Sequence, residues 1–168
     1  HNVRNAARAA GGEAGIRWPV ANTHNDFTLS SGPDRARREL ELRGLDAAIL
    51  LRHRFSIVNL WRPIGRAVEK SPLALSDART IATEDVVAAD LVYRDRIGET
   101  YALRHNAAQL WYYFPRLSPD EAILIKSYES DPRAARFSPH AAFDDPTSPP
   151  DAPERESIET RALVIHAA

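Results

Sequence analysis

The chain reads as a mainly β protein with a few helices, an antiparallel sandwich or barrel of the jelly-roll kind. Three observations point there. Short segments rich in β-branched and aromatic residues recur, among them Phe55 to Trp61, Thr100 to His105, Leu110 to Phe114 and Ala122 to Tyr128, and turn residues separate the last three. Near the end, Ile158, Thr160, Ala162, Val164 and His166 alternate with Glu159, Arg161, Leu163 and Ile165, the period of a strand buried on at least one face. Helical patterning is sparse and the loops are long. Such barrels enclose a cavity at one mouth, where small ligands bind.

Taken in order, residues 1–20 are Ala- and Gly-rich, with Gly11-Gly12 and Trp18-Pro19 as breakers, and predict a frayed or loop-like lead-in. Val20 to Thr28 predicts a short strand. Ser30-Ser31-Gly32-Pro33-Asp34 marks a turn and a helix start, with Ser or Asp as cap and Pro in the first turn. A helix over about 34–52 follows, with Ala36, Leu40, Ala47, Ala48 and Leu51 roughly on one side and Gly44 as an interruption. Phe55 to Trp61 is a strand that Arg62-Pro63 ends, and Leu73 to Ile81 is a weaker one. Thr83-Glu84-Asp85 resembles the cap and acidic first turn of a short helix. The three runs between Thr100 and Tyr128 have the spacing of an antiparallel meander. Residues 131–154 hold six of the twelve prolines and predict an extended, irregular loop between apolar strands.

Composition narrows the function classes. The 168 residues suit one domain with a real core. A net charge of −1 gives no global pull toward nucleic acid or an anionic membrane. No apolar run approaches the ~18 residues of a membrane-spanning helix, and with no visible signal peptide the cytoplasm is the default expectation. With no Cys, disulfides, thiolate metal sites and thiol nucleophiles are all excluded. There is no Gly-rich phosphate loop. Met is absent even at position 1, which leads to the expectation that residues precede this stretch.

The chemistry-bearing candidates begin at Asn22-Thr23-His24-Asn25-Asp26. In an extended strand His24 and Asp26 point to one face and can grip one ion. Alone the triplet equally fits a turn or an Asx-capped loop. With a second His it would make the facial arrangement of two imidazoles and one carboxylate that suits non-haem Fe(II). Of the other histidines, His53 suits a surface or capping role, His166 a structural one and His105 a hydrogen-bonded strand position. His140 lies at the edge of the Pro-rich loop, where a ligand can be presented into a barrel mouth. Arg155 and Ser157 open the last strand on one face. An Arg fork and a Ser hydroxyl there can hold one carboxylate, or be a strand-start Arg beside a surface Ser.

The order H-x-D, then His, then R-x-S is that of 2-oxoglutarate-dependent Fe(II) oxygenases. Ile57-Val-Asn-Leu-Trp-Arg-Pro-Ile64, Pro72 to Arg79, Trp111-Tyr-Tyr-Phe-Pro115, Arg136-Phe-Ser-Pro-His140 through Pro146, and Arg155 to Arg161 carry a more specific likeness. Together they resemble a family of bacterial and fungal secondary-metabolism oxygenases that contains the cephalosporin 7α-hydroxylase component CmcJ, the fungal gibberellin desaturase and the AsaB-like proteins. The likeness spans about residues 20–166. It implies a double-stranded β-helix, a jelly-roll or cupin-like core, with the last His and the R-x-S on neighbouring strands. It also implies an Fe(II)/2-oxoglutarate oxygenase that hydroxylates or desaturates a small, secondary-metabolite-like molecule. His24, Asp26 and His140 fall at the family's iron-ligand positions, and Arg155 with Ser157 at its 2-oxoglutarate anchor, with Arg161 as competitor. Arg62, Trp111, Tyr113 and the 131–154 loop are the expected substrate wall and lid. The implied partners are the small-molecule substrate and O₂, without nucleic acid or membrane; a homodimer stays open. Family members are longer at the N-terminus, so residues 1–168 are expected to form a single oxygenase domain lacking N-terminal residues of the full product. Two other readings remain, a different metal-dependent hydrolase or isomerase on a cupin-like barrel and a non-catalytic small-molecule-binding barrel.

Overall fold

The computed structural model describes residues 1–92, 94 and 97–166. Two sheets share one core. The five-stranded sheet runs in the spatial order β2 (Ile16–Arg17), β1 (Asn2–Arg4), β11 (Ser157–Ile165), β4 (Phe55–Pro63) and β9 (Ile123–Glu129). The six-stranded sheet runs β6 (Val86–Val92), β7 (Ile97–Leu103), β3 (His24–Asn25), β10 (His140–Ala142), β5 (Leu73–Ser76) and β8 (Trp111–Tyr113). Every pairing is antiparallel except β1 with β2. Among the described residues no helix is long and apolar enough to cross a membrane.

Long strands follow the sequence closely. β4 and β11 pair along their whole length, from Ser157 opposite Pro63 to Ile165 opposite Phe55. Along β4, Phe55, Ile57, Asn59, Trp61 and Pro63 are all buried, while Leu60 and Arg62 are exposed. That is the alternation of a strand with one face in the core. Two apolar clusters fill the core. One gathers Trp61, Val68, Leu73, Leu117, Ile123 and Ile125, and the other Phe27, Ala36, Phe55, Ile57 and Tyr128. Asn59, fully buried, sits on the β4 face between them.

Short elements depart from the expectations. The lead-in is not frayed. β1 adds to β11 with Arg4 opposite Ser157, and a short helix α1 (Ala6–Ala10) is capped by the Asn5 side chain. The helix expected over 34–52 is two. α2 (Ser31–Glu41) buries Ala36 and Leu40, and α3 (Ala47–Leu50) starts on an Asp46 cap. Between them Gly44 takes φ +70, a left-handed turn that glycine enters without steric cost. The segment after Thr83 is a brief 3₁₀ turn that leads into β6, not a helix. The expected meander also fails. β7 pairs with β6 and β3, β8 with β5, and β9 with β4 in the other sheet. Local spacing could not foresee this, because a strand takes the partner that buries its apolar face.

The fold makes two checkable predictions. Gly32 lies at the start of α2, where an added Cβ would stand 2.3 Å from the Tyr128 ring. Tyr128 is buried and stacked on Phe55 with ring centroids 5.4 Å apart, so it has little room to yield. Gly32→Ala is expected to lower unfolding stability by about 1–3 kcal/mol, read from the urea midpoint.

Glu129 is fully buried and accepts from Arg54 Nε at 3.2 Å, Arg54 Nη2 at 2.8 Å and the Asp131 amide at 3.0 Å. Burial alone would raise its carboxyl, but the Arg54 bonds, the Asp131 amide and nearby Lys126 outweigh it and bring it down to about 2. A carboxylate depressed in the folded chain stabilises it above its unfolded value of about 4.3. That contribution is lost as pH falls from there toward 2. Glu129→Gln should cost about 1–3 kcal/mol at pH 7 and flatten the acid limb between about pH 4 and 2, measured by denaturant titration across pH.

Candidate metal centre

His24 and His140 are direct partners in the β3–β10 pairing. Antiparallel partners project to the same side of a sheet, and here the two rings stand with centroids 4.6 Å apart. Each ring is oriented by a backbone carbonyl two residues upstream. His24 Nδ1 lies 2.8 Å from Asn22 O, and His140 Nδ1 lies 3.0 Å from Ser138 O. A carbonyl only accepts, so each Nδ1 carries the proton and each Nε2 keeps a lone pair for a metal.

Asp26 follows directly after β3, and its carboxylate turns toward the opposite sheet. Oδ2 accepts from Asn59 Nδ2 at 2.5 Å and Ser127 Oγ at 3.0 Å, and pairs with Arg161 Nη2 at 3.0 Å. These partners come from β4, β9 and β11, so three strands fix one oxygen and leave Oδ1 for an ion. One donor atom from each of His24, Asp26 and His140 lies within 4.8 Å of the others. Two imidazoles and one carboxylate form the donor set that suits a divalent transition metal with open positions opposite.

Electrostatics fit that use. Burial alone would raise the Asp26 carboxyl, but the Arg161 guanidinium, the two imidazoles and Asn59 outweigh it and hold it far below the usual carboxylate range. Burial, then His140, push His24 down, which favours the neutral, ligating ring. Arg161 is committed here. Its Nε donates to Asn59 Oδ1 at 2.9 Å, its Nη2 reaches Glu159 at 3.5 Å, and its guanidinium lies 4.9 Å from the centre of the Phe27 ring. Burial, reinforced by the Asp26 charge, pushes Glu159 up.

Arg155 stands across a cleft that it lines with Arg4, His24, Asp26, His140 and Glu159. The cleft is narrow, with a volume of about 20 Å³. A ligand larger than an ion must therefore shift its walls. Arg155 is buried, donates Nη1 to Ser71 O at 2.5 Å and lies 5.3 Å over Trp61. Burial, with the Arg4 charge beside it, brings its guanidinium down to about 10. Arg155 Nε and Ser157 Oγ are buried with no hydrogen-bond partner. Orphaned buried donors are costly, and an acidic ligand would satisfy them. The residues present thus fit both a metal ion and a carboxylate beside it.

His140 and Arg155 do not lie on neighbouring strands, contrary to the implied arrangement. β10 belongs to the six-stranded sheet, and Arg155 precedes β11 in the other, so the two meet across the cleft. Arg62 is exposed on the outer face of β4 and donates to Pro119 O at 3.2 Å, because strand alternation turns it away from Trp61. Trp111 and Tyr113 sit on the outermost strand β8, with Tyr113 edge-on to Phe143 at 5.1 Å. None of these three lines the cleft. The 131–154 segment is not wholly irregular, since it contains β10. His105 and His53 are exposed loop residues, and His166 Nε2 is 3.0 Å from Ser56 Oγ.

Asn59, Ser127, Glu159 and Arg4 were missed by sequence reasoning. A signal existed for the first three. Asn59 and Ser127 are polar residues on the otherwise apolar faces Ile57–Trp61 and Ile123–Ile125, and Glu159 follows Ser157 at period two. Arg4 had none.

Comparison with known proteins gives a consistent picture. The family described as "YDMC: Oxidoreductase/YMDC permease-like domain" matches over residues 1–165. The chain is 37% identical over 149 residues to the Fe(II)/2-oxoglutarate-dependent dioxygenase nvfI of Aspergillus novofumigatus, covering 88% of this chain and 52% of that protein. It is 38% identical over 140 residues to the hydroxylase/desaturase asaB of Aspergillus flavus, covering 74% and 61%. The solved structure of the iron and alpha-ketoglutarate-dependent endoperoxidase NvfI superposes with a TM-score of 0.88 at 31% identity, over 99% of this chain and 60% of that one. The chain thus spans little more than half the length of these relatives.

Proposed function

Because this chain belongs to the oxidoreductase/YMDC permease-like domain family, together with fungal Fe(II)/2-oxoglutarate-dependent dioxygenases and hydroxylase/desaturases, we propose that it is an Fe(II)/2-oxoglutarate oxygenase domain acting on a small molecule. The reaction is hydroxylation or desaturation, with O₂ as oxidant. The observation that carries the proposal is the pairing of two donor sets in one cleft. His24, His140 and Asp26 each bring one donor atom within 4.8 Å of the others, and Arg155, which lines the same cleft, keeps a buried Nε without a hydrogen-bond partner, as does the Oγ of Ser157 two residues on.

His24, Asp26 and His140 would hold the iron. Iron held there together with 2-oxoglutarate would supply the oxidising chemistry, in which O₂ is reduced and the oxo acid is oxidatively decarboxylated to succinate and CO₂ as a substrate C–H bond is broken. The chain's own residues bind, orient and exclude water. Asn59, Ser127 and Arg161 fix the plane of the Asp26 carboxylate, as outer partners of metal ligands do. Arg155 receives the far carboxylate of the oxo acid, supported by Ser157. Arg155 is favoured over Arg161 for that role, since Asp26, Glu159 and Asn59 already engage the Nη2 and Nε of Arg161. Trp61 and Leu73 supply apolar walls. Asp26 and Arg161 also line an adjoining cavity with Phe27, Ser30, Arg35 and Leu91. Arg155 is not among its walls.

The test is an anaerobic titration. Fe(II) followed by 2-oxoglutarate should produce the metal-to-ligand absorption band of a chelated 2-oxo acid. Admission of O₂ should then yield succinate. A protein that binds divalent metal yet gives no band with 2-oxoglutarate would instead be a metal-dependent hydrolase or isomerase.

A further inference from the structure

The first strand brings a second guanidinium to the cleft. Arg4 lies opposite Ser157 in the β1–β11 register, so both side chains leave the same face of the sheet. That face also carries Glu159 and Arg161 at period two along β11, and Arg4 lines the cleft with Arg155, His24, Asp26 and His140. Arg4 donates Nη1 to Trp18 O at 2.7 Å. Among the described residues neither Arg4 nor Arg155 forms an ion pair with a carboxylate. Glu159, the acid of this cleft besides Asp26, is taken up by Asn59 Nδ2 at 3.0 Å and by Arg161.

Two like charges facing one partly desolvated cleft repel each other; burial, then the Arg4 charge, lower the Arg155 guanidinium, and Glu159 opposes them in part. An anion between them would turn the repulsion into two attractions. It would also reach the orphaned Arg155 Nε and Ser157 Oγ. A carboxylate has two oxygens, each with room for two donors, so it can take one guanidinium on each side.

We propose that Arg4 and Arg155 together clamp the far carboxylate of the 2-oxo acid co-substrate, which makes Arg4 of the N-terminal strand a co-substrate-binding residue. This rests on the function proposed above. It assigns β1 a role beyond sheet extension, because loss of that strand would remove one arm of the clamp.

The experiment compares two probes, 2-oxoglutarate and pyruvate, titrated anaerobically into the Fe(II)-loaded protein and followed by the metal-to-ligand band. Pyruvate keeps the chelating end but has no far carboxylate. Arg4→Gln is expected to weaken 2-oxoglutarate roughly 10- to 100-fold and to leave pyruvate little changed. Arg4→Lys should recover part of the loss, because an ammonium keeps the charge without the planar fork. Unchanged 2-oxoglutarate affinity in folded Arg4→Gln overturns the clamp. Equal weakening of both acids overturns it too, because that marks a general disturbance of the metal end. If Arg4→Gln fails to fold, Arg4→Lys carries the same comparison with the same two overturning outcomes. Failure of the function itself looks different, since the unmodified protein would then show no band with either acid.

Discussion

Asp26→Asn is expected to abolish metal loading at pH 7 while the chain stays folded. The amide keeps the shape of the carboxylate, so Asn59 and Ser127 retain a neighbour of the right size. It loses the charge that a divalent ion requires from this position, since His24 and His140 contribute only neutral nitrogens. Affinity should fall by more than the roughly 10- to 100-fold that follows loss of an outer partner of a metal ligand. Calorimetric titration with Fe(II) under nitrogen, or with Ni(II) in air, reads this directly. The stability cost should be about 1–3 kcal/mol, because a largely buried charge-assisted bond to Arg161 is lost, although Arg161 still has Glu159. Full metal affinity in folded Asp26→Asn would remove Asp26 from the ligand set. Asp26→Glu should fail as well, because an added methylene moves the oxygen by about a bond length and three strands hold its present position.

Arg155→Leu is expected to act on the other half of the site. Losing one side of a buried, charge-assisted pair costs on the order of 2–5 kcal/mol, which is about 30- to 4,000-fold in 2-oxoglutarate affinity. Metal affinity should change little, because Arg155 makes no contact with the carboxylate or carbonyls that orient the three donors. Arg155→Lys should recover only part. Arg161→Leu provides the contrast. Its guanidinium holds Asp26, so its loss should weaken metal binding first. If Arg161→Leu weakens 2-oxoglutarate while sparing the metal, and Arg155→Leu does nothing to the oxo acid, the two arginines have exchanged roles.

Some of the fold was legible because some elements are long enough for their pattern to be decisive. β4 and β11 each extend over nine residues, and a period-two pattern runs through much of each. α2 was legible from Pro33 and the Ala36–Leu40 spacing, and its end was not, since Gly44 could be read as an interruption or a stop. β10 was illegible. His-Ala-Ala has no strand pattern, and it is extended because β3 and β5 pair with it on both sides. Thr83-Glu84-Asp85 reads as the start of a short helix from its acidic first turn, yet the turn ends at Asp85 and Val86 to Val92 finds a seven-residue partner in β7. Ladder hydrogen bonds outweighed a local cap there. Trp111 and Tyr113 drew attention as aromatics near the right motifs, but edge-strand geometry sends them elsewhere.

The sequence by itself determined the kinds of donor and the faces on which they stand. It set an imidazole and a carboxylate two residues apart, a second imidazole in the 131–154 segment, and an Arg and a Ser at the head of a period-two strand. Those are properties of residue chemistry and of the two-residue strand repeat, and they need no partner. Tertiary structure alone decided which distant residues meet. It set His140 in register with His24, wrapped Asp26 with Asn59, Ser127 and Arg161 from three strands, and drew Arg4 to the cleft opposite Ser157. Each such meeting joins positions far apart in the chain. Local propensity carries no information about them, because their register is fixed only when two sheets bury their apolar faces against each other.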